Sequence, residues 1–367
     1  MPILKQASSR RRRRGGDFLA VLLLLAIVAG IGWLWRHQTP SKKPAKSKPA
    51  AGIPVVAAPS VPPVEKPKPR PRVMNAETSN AFPRPARGAF EAQVALARRA
   101  ISPGSIDGAI GSQTRAAIAA FQRSEGLFEN GALDTNPRAQ LTLAAPLLTD
   151  YIVTTNDLAR LQPLGKTWLA KSQQTALEYE TILELVAEKA HSHPLLIQKL
   201  NPNVNWTDIP AGTILKIPDV NYPEPTDKAA FVTIHLSEKF LEAFDAETNL
   251  LAHFPCSIAA HVEKRPVGEL HVAVVAPDPN YTFDPAIFPE SPEAQAIGHK
   301  LVLPPGPNNP VGVAWIGLDK PGYGMHGTPA PEQIGRTESH GCFRLANWDA
   351  EYLLKLVWIG MPVEVVP

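Results

Sequence analysis

Several kinds of hydrophobic pattern follow one another along the chain. Phe18 to Trp35 is apolar without a single charge. At 1.5 Å per residue, ~18 residues just span a ~30 Å hydrocarbon layer, so a transmembrane helix is predicted over 18–35. Residues 36–87 have no period of either kind and read as linker. From 88 to 146 the spacing is helical. Phe90, Val94, Leu96 and Ala97 mark one helix and Ser102-Pro-Gly-Ser105 breaks it. A second helix starts at Ser112 or Thr114 and carries Ala117, Ile118 and Phe121 on its apolar face. Residues 150–220 mix the two periods. Tyr151 to Leu158 alternates like a strand, Tyr179 to Ala190 is an amphipathic helix, Leu195 to Leu200 is a helical turn, and Ala211 to Pro218 is a turn with a short strand. From 229 to 367 alternation dominates, in Phe231–Leu236, Lys239–Phe244, Leu251–Ile258, Glu269–Val275, Val311–Gly317 and Val363–Val366. Short strands between Pro/Gly turns predict a mostly β domain there, so the chain is multidomain.

Composition sharpens the first two segments. Proline is the outlier, with 39 of 367 residues, about twice the usual ~5% share. Much of the excess lies in the linker, as in Lys66-Pro-Lys-Pro-Arg-Pro71, which cannot bury enough apolar surface to order itself. A Pro-rich tether of ~50 residues at ~3 Å each reaches up to ~150 Å. The arginine run Arg10–Arg14 makes 1–17 a basic, cytoplasmic segment and puts everything after residue 36 outside. Lys42, Lys43, Lys46 and Lys48 pull against that orientation, though a long domain is translocated regardless. A cleaved signal peptide would want small residues where Trp33 and Trp35 stand. The expectation is therefore a single-pass protein of the inner (cytoplasmic) membrane, with its folded part in the periplasm or cell-wall space. The net charge of +3 includes that N-terminal run, and no basic patch on a folded domain suggests a nucleic-acid partner. Two cysteines, Cys256 and Cys342, are too few for a disulfide scaffold or a thiolate zinc site.

The candidate chemistry lies in two fragments, Met325-His326-Gly327-Thr328 and Glu338-Ser339-His340-Gly341-Cys342-Phe343-Arg344-Leu345, the second followed by Asn347 and Asp349. A thiol becomes a strong nucleophile as thiolate, and a neighbouring imidazole promotes that. Two imidazoles are available. His340 would share a strand face with Cys342, and a loop would fold His326 back onto the thiol. Gly341 permits close approach of a substrate, amides near Cys342 can form an oxyanion hole, and Arg344 can grip a carboxylate. A metal held by His326, His340 and Cys342 has no evident fourth ligand. Cys256 is expected as a buried strand residue, the alternative being a disulfide with Cys342 in an oxidising compartment. Met325 and Trp315 are expected in the core.

His326-Gly327 … Ser339-His340-Gly341-Cys342-x-Arg344 resembles the signature of the L,D-transpeptidase (YkuD-type) catalytic domain. Arg265-Pro266-Val-Gly268-Glu-Leu270 resembles that family's Thr-Pro-Thr-Gly turn, with Arg and Val in place of the threonines. The resemblance implies a β-sandwich-like fold, no metal or organic cofactor, and a cysteine acyltransferase acting on peptidoglycan. It implies Cys342 as nucleophile attacking a stem tetrapeptide with release of D-alanine, His326 as base, and His340 at the catalytic centre. Ser339, Gly341, Arg344 and Gly327 would contact substrate. The acyl group would pass to an amine of another stem or of a wall-anchored protein. With water as acceptor the same site makes an L,D-carboxypeptidase, and a non-catalytic tether between membrane and wall is the third reading. Against a cysteine endopeptidase stands the order His before Cys. Upstream, Ile106-Asp107-Gly108-x-x-Gly111-x-x-Thr114-x-x-Ala117-x-x-x-Phe121-Gln122 resembles the peptidoglycan-binding domain, a three-helix module. Leu200-Asn-Pro202 … Ala211–Pro218 resembles the second half of a LysM module, an α+β unit, whose first half is split here by some twenty extra residues. Sugar binding and mere spacing stay open for it.

Overall fold

The computed structural model describes residues 81–336 and 341–367. The basic segment 1–17, the apolar run 18–35 and the linker up to residue 80 lie outside the described residues, as do Ser339 and His340. Among the described residues no helix is long and apolar enough to cross a membrane.

The first module holds β1 (Arg84–Pro85), α1 (Ala89–Ala97), α2 (Ser112–Ser124), α3 (Thr135–Gln140) and β2 (Thr142–Leu143), with β1 and β2 antiparallel. Val94, Leu96, Ala117, Ile118 and Phe121 meet Leu141 and Leu143 in one core. The Asp-Gly spacing has a mechanical reason. Buried Gln93 accepts the Gly108 amide at 2.8 Å and donates to Asp107 Oδ1 and Thr114 Oγ1. Gly108 stands at φ +81°, a conformation that favours glycine. Thr114 thus ties the loop from inside α2, and the helix begins at Ser112.

The second module is β3 (Leu148–Ile152), α4 (Thr155–Arg160), α5 (Trp168–Ser172), α6 (Ile182–Lys189), α7 (Pro194–Leu200) and β4 (Ile214–Pro218). β3 and β4 pair antiparallel, and Leu185, Val186, Ile197 and Leu215 fill the core. The strand expected over 151–158 ends at Ile152. Thr154 and Asp157 form a capping box, Thr154 Oγ1 accepting the Asp157 amide and Asp157 accepting the Thr154 amide, which starts a helix instead.

The third module is built on a sheet of eight strands. They are β5 (Phe231–His235), β6 (Phe240–Phe244), β7 (Leu250–Pro255), β8 (Gly268–Pro277), β11 (Ala314–Leu318), β12 (Gly324–His326), β13 (Phe343–Arg344) and β14 (Pro362–Val366), in the order β13-β12-β11-β8-β14-β5-β6-β7. Between β8 and β11 a separate hairpin, β9 (Tyr281–Phe283) with β10 (Leu301–Leu303), carries helix α8 (Pro292–Ile297). Helix α9 (Asn347–Leu356) packs Ala350, Leu353 and Leu356 onto the same core as Val232, Ile234, Phe254 and Ile316. The expected sandwich of two facing sheets is replaced by one curled sheet. Just past β7, Ser257 exchanges two backbone hydrogen bonds with Arg344 of β13, 2.9 and 3.0 Å, so the two ends of the sheet meet. Each end strand thereby gains a partner for backbone groups that an open edge would expose.

The described residues belong to one compact unit. Ser102 and His253 link the first module to β7 through Ser102 N–His253 O (2.8 Å) and His253 N–Ala100 O (3.0 Å). On the outer face of the sheet, Arg123 of α2 pairs with buried Glu242, which also bonds His253 Nδ1. Ile106 and the His191–His193 segment bond the first module to the second. All three modules meet at fully buried Asp349, which accepts from Tyr222 Oη (2.6 Å) and Ser102 Oγ (3.0 Å) beside the stacked rings of His191 and Trp348.

Candidate active site

β12 and β13 run parallel, with Met325 opposite Phe343 and His326 opposite Arg344. On the other side β11 pairs Trp315 with His326 and Ile316 with Met325. Alternate residues of a strand face opposite ways. Met325, Phe343 and Ile316 therefore enter the core, while His326, Arg344 and Trp315 share the other face. Cys342, two residues before Arg344, joins that face. The four line one cavity of about 450 Å³, with Gly322 and Gly341 beside the thiol. Trp315, which the pattern assigns to the core, stacks on His326 with ring centroids 5.6 Å apart. Its neighbour Ile316 takes the core position, and strict alternation over 314–318 was the available signal. His326 lies on a strand, where a loop had been expected.

The geometry sets the state of the base. His326 is 6% exposed, and its Nδ1 lies 2.7 Å from the Gly327 carbonyl. A carbonyl only accepts, so Nδ1 carries the proton and Nε2 holds the lone pair. Burial lowers the imidazole to about 4, against the Gly327 bond that raises it, and Arg344 lowers it further. Gly327 serves this histidine through its backbone. A Cβ there would lie 2.3 Å from Asn347 Oδ1, and one on Gly312 would lie 2.0 Å from the same atom. Only glycines let the two chain segments pack on that amide.

Cys342 is partly exposed to the cavity. Its Sγ approaches the Gly322 carbonyl at 3.4 Å, and the Gly324 amide donates toward the sulfur. Burial pushes the thiol up to about 11, opposed by the Gly324 amide and by the positive charge of half-buried Arg344. The resting pair is thus a neutral thiol and a neutral imidazole rather than a stored ion pair. Cys256 is wholly buried just beyond β7, and the two cysteines form no disulfide. Ser339 and His340 are outside the described residues.

The rest of the cavity wall comes from elements that carried no signature. Tyr281, Thr282, Ile287 and Phe288 belong to the β9–β10 excursion, and Trp168 belongs to the second module. Trp168 stacks on Phe283 at 4.4 Å and its amide donates to Glu293. Leu177 is tied to Pro305 and Asn308 by backbone bonds of 2.8 and 2.9 Å. The extra residues that split the LysM-like pattern therefore run to the active-site cavity.

Two family models match the chain. The L,D-transpeptidase catalytic domain (YkuD) matches residues 229–365, and the peptidoglycan-binding domain matches residues 89–141. A Bacillus licheniformis protein named L,D-transpeptidase YkuD is 26% identical over 188 residues, 51% of this chain and 94% of that protein. Escherichia coli YbiS, also named an L,D-transpeptidase, is 29% identical over 173 residues, 46% of this chain and 55% of its own length. The crystal structure of L,D-transpeptidase 3 from Mycobacterium tuberculosis superposes with a TM-score of 0.30 at 16% identity, over 44% of this chain and 77% of that one. Residues 229–365 are thus similar to the L,D-transpeptidase catalytic domain (YkuD), and residues 89–141, ahead of them, to the peptidoglycan-binding domain.

Proposed function

We propose that the chain acylates its own Cys342 with a peptidoglycan stem tetrapeptide and passes the acyl group to an amine. The observation that carries this reading is the shared cavity. Cys342 and His326 both line it, and the Gly327 carbonyl holds the Nδ1 proton so that Nε2 is the basic nitrogen of that ring. The sulfur attacks the carbonyl of the bond before the terminal D-alanine as its proton moves to Nε2. Burial keeps the thiol and imidazole neutral until then, so charge separation occurs only as the sulfur attacks. The new S–C bond forms, the C–N bond breaks, and the leaving D-alanine amine takes the proton from Nε2. Backbone amides beside Cys342 would donate to the oxyanion. In the second half an acceptor amine attacks the thioester, gives its proton to His326, and the thiol re-forms. Arg344 faces the cavity, where a guanidinium suits a substrate carboxylate.

The peptidoglycan-binding domain supports wall glycan or peptide as partner. The arginine run and the apolar stretch 18–35 support a periplasmic enzyme tethered to the inner membrane. The test incubates the soluble part with disaccharide-tetrapeptide and follows mass. Loss of D-alanine with 3→3 dimers is expected. Tripeptide alone would reassign the acceptor to water, and unchanged substrate would remove the reading.

A further inference from the structure

The second module reaches the catalytic base by a route separate from the cavity wall. Glu188, near the C-terminal end of α6, is half-buried against the catalytic domain. Its Oε1 accepts from Tyr179 Oη at 2.8 Å and its Oε2 from Asn347 Nδ2 at 2.9 Å. Asn347 is 1% exposed and opens α9. Its Nδ2 also donates to the Pro307 carbonyl at 3.1 Å, and its Oδ1 faces the Val313 amide at 3.4 Å. That leaves one orientation of the side-chain amide, the one that puts Oδ1 against the glycine pair Gly312 and Gly327. Gly327 in turn supplies the carbonyl that pins His326 Nδ1.

We propose that Glu188 is a positioning residue for the catalytic base, acting from the second module through Asn347 and Gly327 on the tautomer and placement of His326. The inference rests on the reading of His326 as base. Without the carboxylate, Nδ2 keeps only the 3.1 Å bond to Pro307 and Oδ1 the 3.4 Å approach of the Val313 amide, so the amide is held more loosely and can turn or slide against Gly327. The Gly327 carbonyl then shifts and the Nδ1 bond loosens. Glu188 is a costly way to fill this position. Burial, with the like charges of Glu184 and Glu351, pushes its carboxyl up to about 7 although Tyr179 and Asn347 both stabilise the charged form. Such groups cluster where geometry matters to function. Glu188 does not line the cavity, so its loss should spare substrate binding.

The test compares Glu188→Ala, Glu188→Met and Glu188→Gln in the whole chain. Methionine keeps the volume without an acceptor and reads the effect if the alanine variant does not fold. Glutamine keeps an acceptor for Asn347. For Ala and Met, kcat of Cys342 acylation should fall about 10- to 100-fold with KM within about two-fold, the scale of a catalytic group slightly misplaced. Gln should stay near wild type. Asn347→Ala should give the same loss, and Glu188→Met added to it should cost nothing more. Nitrogen NMR of His326 supplies a readout that needs no turnover: the Nδ1–H tautomer dominates in the wild type and Gln variant and is mixed in Ala and Met. A failure of the transpeptidase reading would silence the kinetics and leave this measurement standing. An unmixed His326 tautomer in Glu188→Met overturns the inference, and so does a loss of activity carried by KM.

Discussion

The two cysteines of this protein sit in regions that both push the thiol up and differ in what surrounds it. Cys256 is wholly enclosed beside Phe254 and Ile258, and burial raises its thiol to about 12. Cys342 is raised almost as far, to about 11, yet it opens into a cavity that it shares with an imidazole, a guanidinium and two aromatic walls. Desolvation alone makes a thiol inert. On the proposed reading the surrounding groups make the same residue type a nucleophile: a ring nitrogen to take the proton, an amide aimed at the sulfur and a path for substrate. A raised thiol value is therefore no argument against catalysis, since proton transfer can be part of the attack.

Several changes would break or sharpen that contrast. The largest effect belongs to Cys342→Ala, which should abolish both transfer and covalent capture of a carbapenem, read by intact-protein mass. A mass shift surviving in this variant would break the contrast at once. His326→Ala should slow acylation by ~10²-fold or more, the usual size of a general-base contribution. Since burial holds His326 at about 4, wild-type acylation should keep its rate as pH falls from 7 toward 5. A loss centred near the ordinary 6.5 would mean that the ring is far wetter than its place between strands indicates.

The same desolvation acts on a carboxyl at the junction of the modules. Asp349 is raised from 3.8 to about 7. Below the lower value folded and unfolded chains are both protonated and no penalty exists. As pH rises from about 4 to about 7 the unfolded chain ionises while the buried native carboxyl stays protonated, so stability is lost across that window and the loss is complete above it. Three pH steps at 1.36 kcal/mol each set an order of about 4 kcal/mol. Asp349→Asn should therefore gain on the wild type as pH rises from 4.5 to 8 in urea unfolding, and a constant gap would show that the hydroxyls of Tyr222 and Ser102 offset the burial. Smaller still, Trp168→Ala should raise KM for disaccharide-tetrapeptide by about 2- to 12-fold, matching ~0.5–1.5 kcal/mol for an aromatic contact. Cys256→Ala should leave activity intact and cost about 1 kcal/mol of stability.

Much of this was legible before any coordinates. The Asp-Gly loop of the first module, its first two helices, the helix over 182–189 and six strands of the large sheet follow from periodicity and turn chemistry, because those signals are local. The strand predicted through Leu158 was misread because the capping box of Thr154 and Asp157 competes with alternation. Trp315 was misread because a bulky apolar ring looks like core until its strand neighbours are known. β12 and β13 are too short to show a period, and they are the strands that carry the site.

The sequence by itself pointed to Cys342 and His326 as the candidate pair, since a Ser-His-Gly-Cys-x-Arg string with an upstream His-Gly is a local chemical statement. It also determined the order of modules and the hydrophobic face of each long element. Only the tertiary structure decided that the sheet curls until Ser257 meets Arg344, that Trp168 reaches the cavity, and that Glu188 and Asn347 stand behind His326. Those contacts join residues far apart in the chain, and their energies depend on burial and orientation that no local pattern encodes.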